Sequence, residues 1–283
     1  NGCQNLKTID FGHGITDIGQ NGRQEMFYGC AVEKIVFPKQ VKSIGINAFM
    51  NCQKLKEVVF NEGLETIAAG AFRNCPYLSS INFPKSIKKV GKMAFFCDVK
   101  RAEFDSDVEV NMSSVPLDFI NAFVYPGRIN NARCLNVHID NENGKFDFVI
   151  PEAAAPAGFS QMRRYFNDMS DGEHKYSKRH LDSAYQWANY PKDIAIAAFK
   201  TYKMTKAESA KEYLKEKPQN VAKALILNMT EQDFVEFVKF GFADFRCDEL
   251  VMQMLRGKGW TSAIAYVLNQ EREGKGLNME LAL

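Results

Sequence analysis

The chain has 283 residues, 46% hydrophobic and 25% charged, enough for one large domain or two ordinary ones. Lys and Arg number 36 against 34 Asp and Glu, a balance that supplies no net field to attract nucleic acid or an anionic membrane. Apolar runs such as Ala263 to Leu268 fall far short of the roughly 20 residues of a membrane helix, so no membrane insertion is expected, and no signal peptide is visible.

Five cysteines, Cys3, Cys30, Cys52, Cys75 and Cys97, follow one another at separations of 27, 22, 23 and 22 residues, which marks an internal repeat. After each comes an apolar triplet: Leu6, Ile9, Phe11; Val32, Ile35, Phe37; Leu55, Val58, Phe60; Leu78, Ile81, Phe83; and Val99, Ala102, Phe104. A second apolar pair follows in the first four copies, as in Leu64 with Ile67 and Ile87 with Val90, and a closing aromatic ends them at Phe27, Phe49, Phe72 and Phe95. One copy is too short to bury these side chains, so successive copies must stack into a coil and share a core. Pro38 and Pro84 end the first segment because proline has no N–H for a ladder. Gly45 and Gly91 follow the second pair and are expected to ease a tight bend. Because Asn1-Gly2-Cys3 already sits at a repeat seam, further sequence is expected upstream.

The spacing resembles the BspA-like leucine-rich repeats, whose unit runs cysteine, two residues, leucine, two residues, isoleucine, one residue, an apolar residue then often proline, a second apolar pair and alanine-phenylalanine. Cys52 to Phe72 and Cys75 to Phe95 follow that run closely, Cys30 to Phe49 with one residue deleted, and Cys3 to Phe27 with an insertion at Gln20 to Gln24. The resemblance implies a curved solenoid of short parallel strands over residues 1–104, in proteins mostly of host-associated bacteria, many of them surface-exposed and linked to adhesion or protein binding. It also implies a cell-surface or secreted setting. It carries no catalytic residues and no cofactor.

Beyond Phe104 the register is lost. Alternating runs at Cys134 to Ile139 and Lys145 to Ile150 flank Asn143-Gly144, a hairpin signal, so residues 105–150 read as a cap on the solenoid. Residues 151–158, with four alanines and two prolines, read as a linker. From Phe159 onward the period is helical, with Pro191 and Pro218 at helix starts, Thr230 as a cap, Gly241 as a stop, and Gly257 with Gly259 ending a further helix. Residues 159–283 therefore read as an all-α domain of stacked hairpins similar to ankyrin repeats, though without their threonine-proline-leucine-histidine signature. The fold class expected is α+β in two parts.

The recurrent cysteines are expected in one buried, reduced ladder. No C-x-x-C pair is present for zinc, and an odd total of seven argues against a closed disulfide framework. His13, His138, His174 and His180 form no metal motif and read as surface residues. No catalytic or metal site is expected. A binding face is expected on the outward side of the first segments: Val36, Val59, Ser80 and Asn82 make an accessible centre, and Lys56, Lys100 and Arg101 supply donors. Its partner would be a host or bacterial protein, or a glycan. The competing expectation is an enzyme or ligand-binding site among the helices near His174 to Trp187, which requires His174, His180 and Asp182 to converge on a pocket.

Overall fold

The computed structural model describes residues 3, 5–19, 25–97, 107–127, 133–171 and 177–276. They divide into two compact units, Asn1–Tyr190 and Pro191–Leu283.

In the first unit the apolar triplets and pairs become the short strands β1 (Asp17–Ile18), β2 (Lys34–Val36), β3 (Ser43–Ile44), β4 (Glu57–Val59), β5 (Thr66–Ile67), β6 (Ser80–Asn82) and β7 (Lys89–Val90). β1, β3, β5 and β7 form one parallel sheet in that order, and β2 pairs in parallel with β4. Each repeat position meets itself one coil later: Ile18 pairs with Ile44, Ile44 with Ile67, Ile67 with Val90, and Ile35 with Val58. The side of the coil without strands is laddered too, because the N–H groups of Phe27, Phe49 and Phe72 donate to the carbonyls of Ala48, Ala71 and Ala94 at 2.8, 2.7 and 2.8 Å. Backbone polar groups thus find partners in the neighbouring coil, the condition for burying so short a repeat.

Two columns of phenylalanine fill the core. Phe11, Phe37, Phe60 and Phe83 stack at centroid spacings of 5.3, 5.8 and 6.3 Å. Phe27, Phe49, Phe72, Phe95 and Phe123 stack at 5.0, 5.4, 5.3 and 4.9 Å. Between columns the rings meet edge-on, Phe37 against Phe49 at 76° and Phe60 against Phe72 at 72°, the arrangement ring quadrupoles favour. Cys30, Cys52, Cys75 and Cys97 are buried thiols outside any disulfide, whereas Cys3 is exposed and departs from the expected ladder. The thiols of Cys52 and Cys75 donate to the carbonyls of Phe27 and Phe49 at 3.3 and 3.2 Å. Burial pushes the Cys30 thiol up to about 11 and Cys75 well above its ordinary value, so both stay protonated at neutral pH.

The role of Gly45 and Gly91 is close approach and not a special bend. A Cβ on Gly45 would strike the Gly19 carbonyl, and one on Gly91 the backbone of Ala68 and Ala69. Their N–H groups donate to Ile18 and Ile67 at 2.6 and 2.7 Å, which draws the coils together there.

Val99, Ala102 and Phe104, expected as the triplet of a fifth copy, lie outside the described residues, as does the expected insertion at Gln20 to Gln24. Beside β6 stands β8 (Val108–Met112), paired in parallel with Ile81 opposite Val110. Leu117 then bridges Lys89, and α1 (Phe119–Phe123) ends on Ala122-Phe123, whose ring completes the second column. Residues 108–123 are therefore one more coil with its own alanine-phenylalanine closure, where the sequence suggested only a cap. The hairpin follows. After β9 (Tyr125–Pro126), β10 (Cys134–Asn141) and β11 (Gly144–Pro151) pair antiparallel, and β10 adds in parallel to β8, giving the order β11-β10-β8-β6.

The stretch 151–158 is built into this unit instead of linking two. β12 (Ala153–Ala154) is buried and pairs in parallel with β9, and α2 (Pro156–Asp168) starts at once and places Phe166 against Phe119 and Phe148 at 5.8 and 5.6 Å. A buried ion pair, Arg133 with Glu152 at 3.5 Å, lies beside β12. A 3-10 turn at Met169–Asp171, α3 (Lys178–Asp182) and a second 3-10 turn at Ala184–Trp187 complete the unit.

The described part of the second unit is helical: α4 (Pro191–Thr205), α5 (Glu208–Glu216), α6 (Pro218–Asn228), α7 (Glu231–Lys239), α8 (Glu249–Lys258) and α9 (Thr261–Gly276). Thr230 and Asp233 form a reciprocal capping box at the start of α7, each backbone N–H donating to the other's side chain at 3.2 Å. α4, α6 and α8 pack in a row, with α7 and α9 beside one another. α8 runs through Gly257 and stops at Gly259, whose φ of +69° suits a residue without Cβ.

Candidate functional site

The outward side of the first-segment strands carries two rows of side chains. Along β2 and β6 the central Ile35 and Ile81 are buried while Lys34, Val36, Ser80 and Asn82 face out. In β8, Val108, Val110 and Met112 point in, which leaves Glu109 and Asn111 outward. Two rows result. The first contains Lys34 beside Glu57, then Ser80 beside Glu109 and Glu109 beside Asn136. The second contains Val36 beside Val59, then Asn82 beside Asn111, Asn111 beside His138 and His138 beside Asp147.

Of the residues expected to form a binding face, Val36 is 49% exposed, Val59 is half-buried, and Ser80 and Asn82 are exposed. Lys56 is not a free donor, since its ammonium lies 2.9 Å from the Glu33 carboxylate; next to it Lys34 and Glu57 pair at 2.6 Å. Exposed pairs of this kind add little stability, but they cancel the local charge around the two valines. Lys100 and Arg101 lie outside the described residues.

Toward β11 the second row turns polar. The Asn111 amide donates to the Asn82 side-chain oxygen at 2.9 Å, and the Asn136 amide donates to Glu109 at 2.6 Å. His138 stands between two carboxylates, with Nδ1 2.7 Å from Asp147 and Nε2 3.0 Å from Glu109. Both contacts are hydrogen bonds only when each ring nitrogen carries a proton. Partial burial lowers the imidazole pKa, but the hydrogen bonds and charges of Asp147 and Glu109 outweigh it, and the net direction is upward. The row can therefore accept and donate hydrogen bonds through amides and present one switchable cation. Among the described residues no His, Cys, Asp or Glu cluster is placed to hold a metal.

Asn111, Asn136, His138 and Asp147 were not among the residues expected to form the face. Their alternation with Val110, Val137, Ile139 and Phe148 is visible in the sequence and assigns them to one side of each strand. What it could not supply is the docking of β8 onto β6, on which their union with Ser80 and Asn82 depends.

The competing site does not assemble among the described residues. His174 lies outside them. His180 packs its ring on Tyr165 at 5.5 Å, Asp182 accepts from the Lys178 ammonium at 2.9 and 3.1 Å, and Trp187 is packed against the core of the first unit. These residues belong to the first unit and not to the helical one.

Residues 1–97 match the family model described as BspA type Leucine rich repeat region, in six copies, so this part of the chain is a leucine-rich-repeat array. No curated protein matches the chain. Among solved structures it is similar to the crystal structure of a T. pallidum leucine-rich-repeat protein, at 25% identity and a TM-score of 0.26, over 38% of this chain and 56% of that one. The chain thus spans little more than half the length of that protein.

Proposed function

We propose that the first unit is a non-catalytic protein-binding module whose partner docks on the outward face of β2, β4, β6, β8 and β10. The observation that supports this most is the row of Val36, Val59, Asn82, Asn111 and His138. It combines an apolar start with hydrogen-bonding amides, while the flanking Lys34, Glu57, Glu33 and Lys56 neutralise one another. An accessible apolar centre with a polar rim is how protein interfaces are composed, and regular solenoid surfaces are used for binding extended partners. A protein is favoured over a glycan because no aromatic platform stands in either row. Adhesion to a surface protein is the finer form of this reading.

The test is the double change Val59→Lys and Ser80→Glu. Both side chains face away from the core, so the melting temperature should stay nearly unchanged while binding to a partner isolated with the unaltered chain is abolished. Undiminished binding by a folded double variant would remove this face from consideration.

A further inference from the structure

A cavity of about 480 Å³ lies in the first unit, bounded by the turn after β7, α1, β9 and α2. It shares no residue with the sheet face. Lys92 and Arg163 stand in its wall, both exposed, and neither has an ion-pair partner among the described residues. The carboxylate in the wall, Asp118, is already engaged: it accepts from the Asn121 amide at 2.9 Å and lies 3.8 Å from Lys89. The wall therefore retains uncompensated positive charge.

The rest of the lining is apolar and held in place. The Tyr125 ring stacks on Phe96 at 5.3 Å, and its backbone N–H donates to Glu152 at 2.8 Å. Gly127 passes so close that a Cβ there would come 2.7 Å from the Tyr125 ring. Phe159, on α2, packs against the core. An aromatic surface held by packing beside two cations offers a ligand both contact area and charge, and the volume lies within the range of small-molecule sites.

We propose that this cavity binds a small organic carboxylate with an aromatic or aliphatic body. Its acid group meets Arg163 and Lys92, and its body lies against Tyr125 and Phe159. Arg163 supplies the fork that matches a carboxylate, and Lys92 a second charge. The same chemistry occurs in a free acid and in the C-terminal residue of a peptide.

N-acetyl-phenylalanine is the probe, titrated into the full chain and followed by calorimetry. Its neutral amide and inorganic phosphate isolate the contributions of charge and body. The acid should bind about 10-fold more tightly than the amide, and Arg163→Gln and Lys92→Gln should each weaken it about 10-fold without moving the melting temperature. Phosphate should bind more weakly than the acid. A pentapeptide ending in phenylalanine separates the sources: tighter binding than the single residue, lost on C-terminal amidation, assigns a chain terminus, and equal or weaker binding assigns a free acid. Equal affinity for acid and amide, phosphate binding as tight as the acid, no heat at millimolar acid, or unaltered binding by both folded variants would each overturn the proposal.

Discussion

His138 joins three strands through one ring. Its imidazolium donates to Asp147 on β11 and to Glu109 on β8 while the residue itself belongs to β10, and its folded pKa is raised above the ordinary value. A raised pKa means that the folded state holds the proton more tightly than the unfolded one. The resulting stability is therefore fully present below the unfolded value near 6.5 and is lost as pH rises through the folded value. An NMR titration should find the His138 ring titrating above a histidine in a short peptide, and His138→Gln should flatten the fall in stability as pH rises above the ordinary histidine value of about 6.5. Unchanged pH dependence in the variant would show that the two carboxylates do not act on the ring. The sequence disclosed that His138 alternates with Val137 and Ile139, hence its side of the strand. It could not disclose the bracket, because Glu109 lies 29 residues away and reaches His138 only once β8 and β10 are neighbours.

The coil sets a different kind of constraint, visible at Gly91. There the neighbouring backbone at Ala68 and Ala69 occupies the space a Cβ needs, while Gly14 has nothing within 4 Å of the same position. Gly91→Ala should cost about 1 to 3 kcal/mol through overpacking, and Gly14→Ala should leave stability within about 0.5 kcal/mol. Urea unfolding of the two variants side by side checks this. The copies from Cys30 to Phe95 were legible because each keeps a cysteine, an apolar triplet, a second apolar pair and a closing phenylalanine at offsets that differ by at most one residue. The coil at 108–123 was not, although it supplies the same side chains: Val110 takes the place of Ile81, Leu117 bridges Lys89, and Phe123 stacks on Phe95. Its strand β8 starts 11 residues after Cys97, against 5 from Cys75 to β6, and its closure lies within a helix. The interval between its strand and its aromatic therefore differs from that of the copies before it. Stacking requires equivalent positions in space, which sequence offsets track only while every coil has the same length.

On the scale of the molecule, the division falls at Tyr190 and not at the alanine- and proline-rich stretch before Phe159. That stretch lacks periodicity because two of its residues make a minimal strand, β12, and the next helix begins immediately. A fragment of residues 191–283 should show cooperative helical unfolding by circular dichroism. Residues 159–283 would carry the apolar side of α2, with Phe166 cut off from Phe119 and Phe148, and should aggregate or bind a hydrophobic dye. Equal behaviour of the two fragments would mean that α2 does not depend on the solenoid. The β10–β11 hairpin has a further consequence, in the order of events along the folding pathway. Its paired positions run from Asn141 with Gly144 out to Cys134 with Pro151, all local in sequence, and a hairpin closes in about 1 to 10 μs. Each solenoid coil, by contrast, must join residues some 23 apart before its ladder contributes. The hairpin is thus expected to act as a template, on which β8 adds to β10 and β6 to β8, so that winding should proceed from β10 toward the first coils. Pulse-labelled hydrogen exchange should protect the amides of Val137 and Phe148 before those of Ile44 and Phe49. The reverse order would place the nucleus among the phenylalanine columns.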